Sequence, residues 1–173
     1  MRCPKKPLAS EQAKLDLAQG RRADVMNALV ESLWRAGWAP ILVFAAHMIL
    51  WHGVGAYAAF PPLDAPMHLL GGLAIAFFLW TAYSISARTG TFGRPNFNAI
   101  AALTSTSTAA CALLWEFAEF LSDRYLGTNT QKGLEDTLLD ILLGLVGGAI
   151  FVGVAWIRRN RCDAPDSTEE GQA

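Results

Sequence analysis

Charge is scarce in this chain. Of its 173 residues, 17% are Asp, Glu, Lys or Arg and 53% are hydrophobic. Soluble domains carry about 25% charged residues. With a mean hydropathy of +0.28, an ordinary soluble fold is excluded. Cysteine is scarce too. Cys3, Cys111 and Cys162 form no CxxC or other regular spacing, which excludes a disulfide framework and a zinc motif. Cys111 lies in an apolar stretch and reads as a packing residue. There is no glycine-rich nucleotide loop, no serine-triad motif and no basic stripe for nucleic acid. A cleavable signal peptide is not expected, because the first apolar run starts only near residue 39. The length leaves no room for a second folded domain.

Long apolar runs are what the chain does have. Four segments, roughly 39–60, 66–87, 98–121 and 137–157, are each long enough to cross a ~30 Å hydrocarbon core at about 1.5 Å per residue. The fold class expected is therefore all-α, a polytopic membrane protein with four transmembrane helices over 39–157. Ahead of them, residues 1–22 read as a basic tail. Residues 23–38 read as an amphipathic interfacial helix, with Val25, Met26, Leu29, Val30, Leu33 and Trp34 on one apolar face. Residues 158–173 read as a polar tail with a disordered acidic end.

Orientation follows from Lys and Arg. The N-terminal segment (Arg2, Lys5, Lys6, Lys14, Arg21, Arg22, Arg35), the 88–97 loop (Arg88, Arg94) and the C-terminal tail (Arg158, Arg159, Arg161) share one side. The opposite side has Arg124 and Lys132. Both termini are expected in the cytoplasm, and the 61–65 turn and 122–136 loop outside.

Acids then sort themselves independently. Between residues 64 and 140 every Asp and Glu falls near the outer face: Asp64, Glu116, Glu119, Asp123, Glu135, Asp136 and Asp140. Asp64 and His68, Glu116 and Glu119, and Asp136 and Asp140 are spaced three or four apart. Each pair therefore shares one helix face. A charge at membrane depth is costly unless paired, hydrated or neutralised, so such residues are functional candidates.

If the three faces converge, several carboxylates and one imidazole share a pocket. They cannot all stay ionised unaided. A bound cation, retained protons, or a cationic partner such as Arg124 or Lys132 would resolve the conflict. Carboxylates with one imidazole suit Zn, Mn or Fe, and carboxylates alone suit Mg or Ca. A metal there would be held by His68, Glu116 and Asp140. Glu116, Glu119 and Asp140 are the candidate catalytic acid–base groups. Asp64 and Asp136 are candidate binding residues, although each is equally well explained as a helix cap. Capping explains Glu116 and Asp140 poorly, because both sit deeper. His47 and His52 on the first span are expected to bond neighbouring helices, with His52 the better placed to reach the pocket. Gly71, Gly72, Gly144, Gly147 and Gly148 suggest close approach of the second and fourth spans, which would bring His68 to Asp140.

The ordered set Asp64-x-x-x-His68, Trp115-Glu116-Phe117-x-Glu119, Gln131, and Asp136-Thr137-x-x-Asp140-x-x-x-Gly144 resembles the VanZ-like membrane proteins, and most closely their YjdF-like branch. The resemblance spans roughly residues 60–150. It differs from the usual VanZ pattern in having Glu119 where a Gln is common. It implies a bacterial inner-membrane setting at the cell envelope, adds Gln131 to the binding residues, and implies no particular reaction. The expected function is an outward-facing Asp/Glu/His site acting on a cell-envelope or lipid-headgroup substrate with a divalent cation. A non-catalytic scaffold or small-ligand binder is the alternative. Cation or proton translocation fits less well, because the inner halves of the last three spans offer Thr81, Ser84, Ser86 and the 104–108 Thr/Ser run but no acid. The partners expected are the bilayer and a lipid headgroup or envelope precursor; nucleic acid is not.

Overall fold

The computed structural model describes residues 9–162 apart from Phe92. The first eight residues, with Cys3, Arg2, Lys5 and Lys6, and the acidic end at 163–173 lie outside the described residues. What is described is helical with short connections. In order it comprises α1 (Ala9–Ser32), a π-helical turn (Leu33–Gly37), α2 (Trp38–Met48), a second π-helical turn (Ile49–Gly53), α3 (Ala56–Ala59), a 3-10 turn (Pro61–Leu63), α4 (Asp64–Thr89), α5 (Phe97–Leu126) and α6 (Leu134–Cys162). Four helical stretches are long and apolar enough to cross a membrane: Ala13–Gly53, Pro61–Thr89, Phe97–Leu126 and Leu134–Arg161. Large apolar side chains such as Ile41, Leu42, Leu113, Leu114, Leu138 and Leu142 point outward from the bundle. That is the surface expected in lipid and a liability in water.

Local chemistry sets the ends of these helices. Asn96 caps α5, its side chain accepting from the Ala99 N–H at 2.9 Å. Gly90 and Gly127 close α4 and α5 in the left-handed region, at φ 73° and 68°, where a side chain is disfavoured. Pro61 and Pro62 open the turn into α4.

The first segment departs from expectation. The chain runs from α1 into α2 without a break, so residues 23–38 continue into the first span. The turn Leu33–Gly37 immediately precedes Pro40, which has no N–H to continue the ladder. The face packed inward is made of small residues. Ala28, Ser32, Ala36 and Ala39 are buried, while Met26, Leu29, Val30, Leu33 and Trp34 are exposed. Small residues four apart let this helix lie close against α4, and the larger residues are left to face lipid.

The core is α4, α5 and α6, with α4 and α6 in the most extensive contact. Their backbones touch at two levels. A Cβ on Gly72 would lie 2.0 Å from the Gly144 carbonyl oxygen, and one on Gly147 would lie 2.1 Å from that of Leu69. A Cβ on Gly148 would meet Thr108 of α5 at 2.9 Å, and one on Gly144 would meet Ala112 at 3.1 Å. α4 and α6 run in the same direction, and α5 runs against both.

Glu31 joins Arg35 and Arg88 at 2.9 Å each, tying α1 to α4 at the arginine-rich end. Arg159 of α6 lies over the Phe97 ring at the same end. Glu31 near the end of α1 and Arg159 near the end of α6 thus both lie beside the 88–97 connection.

Candidate functional site

His68 precedes Gly72 by one turn, and Asp140 precedes Gly144 by one turn. Because Gly72 and Gly144 touch and the two helices are parallel, the two side chains must meet. His68 Nε2 lies 3.7 Å from Asp140 Oδ2. The same nitrogen lies 3.5 Å from Asp64 Oδ1, one turn back on α4. α5 runs the other way, so Glu116 reaches this level one turn beyond Ala112. Its Oε1 lies 3.7 Å from His68 Nδ1.

The imidazole is therefore a hub. Asp64 and Asp140 share Nε2, and Glu116 faces Nδ1. Two triads of ligating atoms close to within 4.8 Å: Asp64, His68 and Asp140, and His68, Glu116 and Glu119. The expected trio of His68, Glu116 and Asp140 is brought together, but its two acids address opposite nitrogens. The partner of Asp140 on Nε2 is Asp64.

Glu116 and Asp140 are 3% and 4% exposed. Neither carboxylate oxygen of Glu116 has a hydrogen-bond partner among the described residues, a condition costly for any buried polar group. Glu119, one turn on, is held by the Trp115 indole N–H, which donates to Oε1 at 2.8 Å.

Asp64 is the first residue of α4 and makes no cap bond to its helix. Its carboxylate goes to His68 and to Lys132, whose Nζ lies 3.6 Å from Oδ2. Asp136 behaves as a structural acid. It accepts from the Lys132 backbone N–H at 3.3 Å, reaching back over the start of α6.

The connection from α5 to α6 is folded over the site. Asp123 accepts from the Thr128 and Thr130 hydroxyls and from the backbone N–H groups of Thr130 and Gln131. The Gln131 amide donates to the backbone carbonyl of Glu116 at 3.1 Å. Gln131 therefore clamps the loop to α5.

Sequence reasoning missed two contributors. His47, and not His52, approaches the pocket. Its Nδ1 is 2.8 Å from the Tyr57 hydroxyl and its ring packs edge-on against Trp115. His52 is exposed and rests on Trp51. The π-helical turn at Ile49–Gly53 sets the register that separates them, and helical spacing carries no signal for such a turn. Tyr57 also lines the pocket. Burial, with Asp64 and Glu119 nearby, pushes its phenol up to about 12, so it stays a neutral hydroxyl.

A polar chamber of about 400 Å³ opens at this end, bounded by His47, Tyr57, Asp64, Glu119, Asn129 and Lys132 among others. The deeper polar groups toward the arginine end are hydroxyls, the buried Thr104 and Thr108 of α5.

Residues 32–161 match the family model described as "Predicted membrane protein (DUF2238)", and the chain belongs to that family. A stretch of 36 residues is 56% identical to an uncharacterised protein of Thermotoga maritima. The match covers 20% of this chain and 19% of that relative's length. No solved structure matches the chain significantly.

Proposed function

We propose that this member of the predicted membrane-protein family carries a divalent-cation site of His68, Asp64 and Asp140 that acts on the polar head of a membrane lipid or cell-envelope precursor. One observation carries the reading. Two carboxylate oxygens stand 3.5 and 3.7 Å from the same imidazole nitrogen. These gaps are too long for hydrogen bonds. Atoms bound to a single tetrahedral ion at ~2.1 Å are about 3.4 Å apart. A His with carboxylates suits Zn, Mn or Fe.

Glu116 completes the arrangement. A metal-ligating His commonly donates its other N–H to a carboxylate, which fixes the tautomer and the ring orientation. Glu116 Oε1 lies 3.7 Å from Nδ1, too long for that bond as the site stands, and is the carboxylate that would take that role with an ion bound. Glu119, held by Trp115 on the chamber side, is the acid–base group. Lys132 and Tyr57 supply donors for an anionic headgroup. A bound ion would polarise a headgroup oxygen or a water molecule.

The excess of Lys and Arg at the opposite end supports an outer-face position for this site. The likeness to VanZ-like and YjdF-like proteins points to the same place, the envelope side of a bacterial inner membrane. A blind site is favoured over a translocation path, because the buried acids among the described residues, Glu116 and Asp140, both sit at one end.

The test is Mn²⁺ binding to purified protein, read by electron paramagnetic resonance. Wild type should bind one ion. His68→Ala and Asp140→Asn should bind none, and Glu116→Gln should bind about 10–100-fold more weakly. Absence of stoichiometric Mn²⁺ or Zn²⁺ binding by wild type would sink the cation site.

A further inference from the structure

A second cavity of about 130 Å³ lies within the spans and reaches His68. It lies between α2, α4 and α5. α2 packs its backbone against α4 but meets α5 through side chains, with Phe44 and His47 set edge-on to Trp115. The gap left beneath them is lined by Val43, Phe44, Met67, Gly71, Ile75 and Cys111, among others. From His68 to Ile75 it follows α4 for about 10 Å at 1.5 Å per residue.

The adjacent glycines of α4 differ in kind. Gly72 has no room for a Cβ against α6, so packing accounts for it. A Cβ on Gly71 would meet nothing within 4 Å, so packing does not. Gly71 borders the cleft, and its missing side chain is part of the open space. The cleft and the polar chamber share His47 as a wall, and His68 lies where the cleft meets the charged cluster.

We propose that the ligand is a phosphate-headed amphiphile that enters sideways from the bilayer, its hydrocarbon chain in the cleft beside Gly71 and its phosphate at the His68 cluster and Lys132. This rests on the cation site above. The cleft is lined mainly by apolar side chains and lies within the spans beside the sparse α2–α5 contact, a seam that hydrocarbon would surround. The cleft ends at His68, which Asp64, Glu116 and Asp140 surround at 3.5 to 3.7 Å; once a cation is bound, that cluster favours anionic oxygens. Lys132 adds an ammonium at the border of the chamber. A free phosphate would use the chamber and leave the cleft unused; a lipid phosphate uses both.

The probes are dodecyl phosphate, inorganic phosphate and dodecyl maltoside, added to the full chain in amphipol with Mn²⁺. Dodecyl phosphate should bind about 100-fold more tightly than inorganic phosphate, from burial of several methylenes. Gly71→Leu should erase most of that difference while leaving Mn²⁺ affinity unchanged. In a Cys3→Ser, Cys162→Ser background, dodecyl phosphate should slow alkylation of Cys111 by N-ethylmaleimide at least ten-fold, and inorganic phosphate should not. The alkylation assay does not depend on how Gly71→Leu folds.

Mn²⁺ binding with equal affinity for the two phosphates, or with Cys111 unprotected, overturns the lipid ligand and leaves the cation site standing. Equal binding of dodecyl maltoside overturns the phosphate head. Failure of wild type to bind Mn²⁺ overturns both readings.

Discussion

The two ends of the bundle solve the problem of charge in opposite ways. At the arginine end, Glu31 meets Arg35 and Arg88 at 2.9 Å, on side chains that keep contact with water or headgroups. At the other end, Asp64, Glu116 and Asp140 surround one imidazole at 3.5 to 3.7 Å. Glu116 there has no hydrogen bond to either oxygen among the described residues. The first end holds ordinary paired charges, of small net effect. The second is a buried arrangement whose charge is incompletely compensated, which folding alone does not require. That contrast is the ground on which the cation site is proposed.

The sharpest way to break the comparison is to remove the contact that brings the acids together. Gly72→Leu should cost about 3 kcal/mol or more, because the added Cβ collides with the α6 backbone. Thermal unfolding and size-exclusion profiles should show a loss of folded protein. Gly71→Leu, one residue away, should fold like wild type. Equal damage from both would mean that α4 and α6 do not approach as described.

Glu116→Gln should separate stability from binding. Replacing a buried carboxylate that makes no hydrogen bond among the described residues should stabilise the cation-free protein by about 1–3 kcal/mol, even as cation binding weakens. A drop in cation-free melting temperature would show that Glu116 is a structural partner of His68 instead.

Trp115→Phe removes the indole bond to Glu119 and should cost about 1 kcal/mol, measured by denaturant or thermal unfolding. The smallest effect belongs to the arginine end. Arg88→Gln should change stability by less than about 1 kcal/mol, and the difference should shrink further in high salt. An effect as large as that of Gly72→Leu would erase the distinction between the ends.

Much of this was legible in the residues. Apolar run length exposed the four spans, because a bilayer demands it. The i, i+3 and i, i+4 acids announced a charged face on each of three helices, because helical spacing does. On the first helix the large apolar residues face outward, and the small ones that pack against α4, Ala28, Ser32, Ala36 and Ala39, carry no sequence signal of their own. His52 lies nearer the outer end of the first span and so reads as the better placed, but the rotation of the helix decides which imidazole faces the pocket, and it is His47.

Spacing along single helices was thus enough to establish the membrane class, the charged pairs and the end of the bundle at which they gather. These are properties of one segment in its solvent. Which acid faces which nitrogen of His68, and that Gly72 is jammed while Gly71 borders open space, depended on how α4, α5 and α6 pack. Those facts depend on the relative depth and rotation of separate helices, and only the packed bundle sets these.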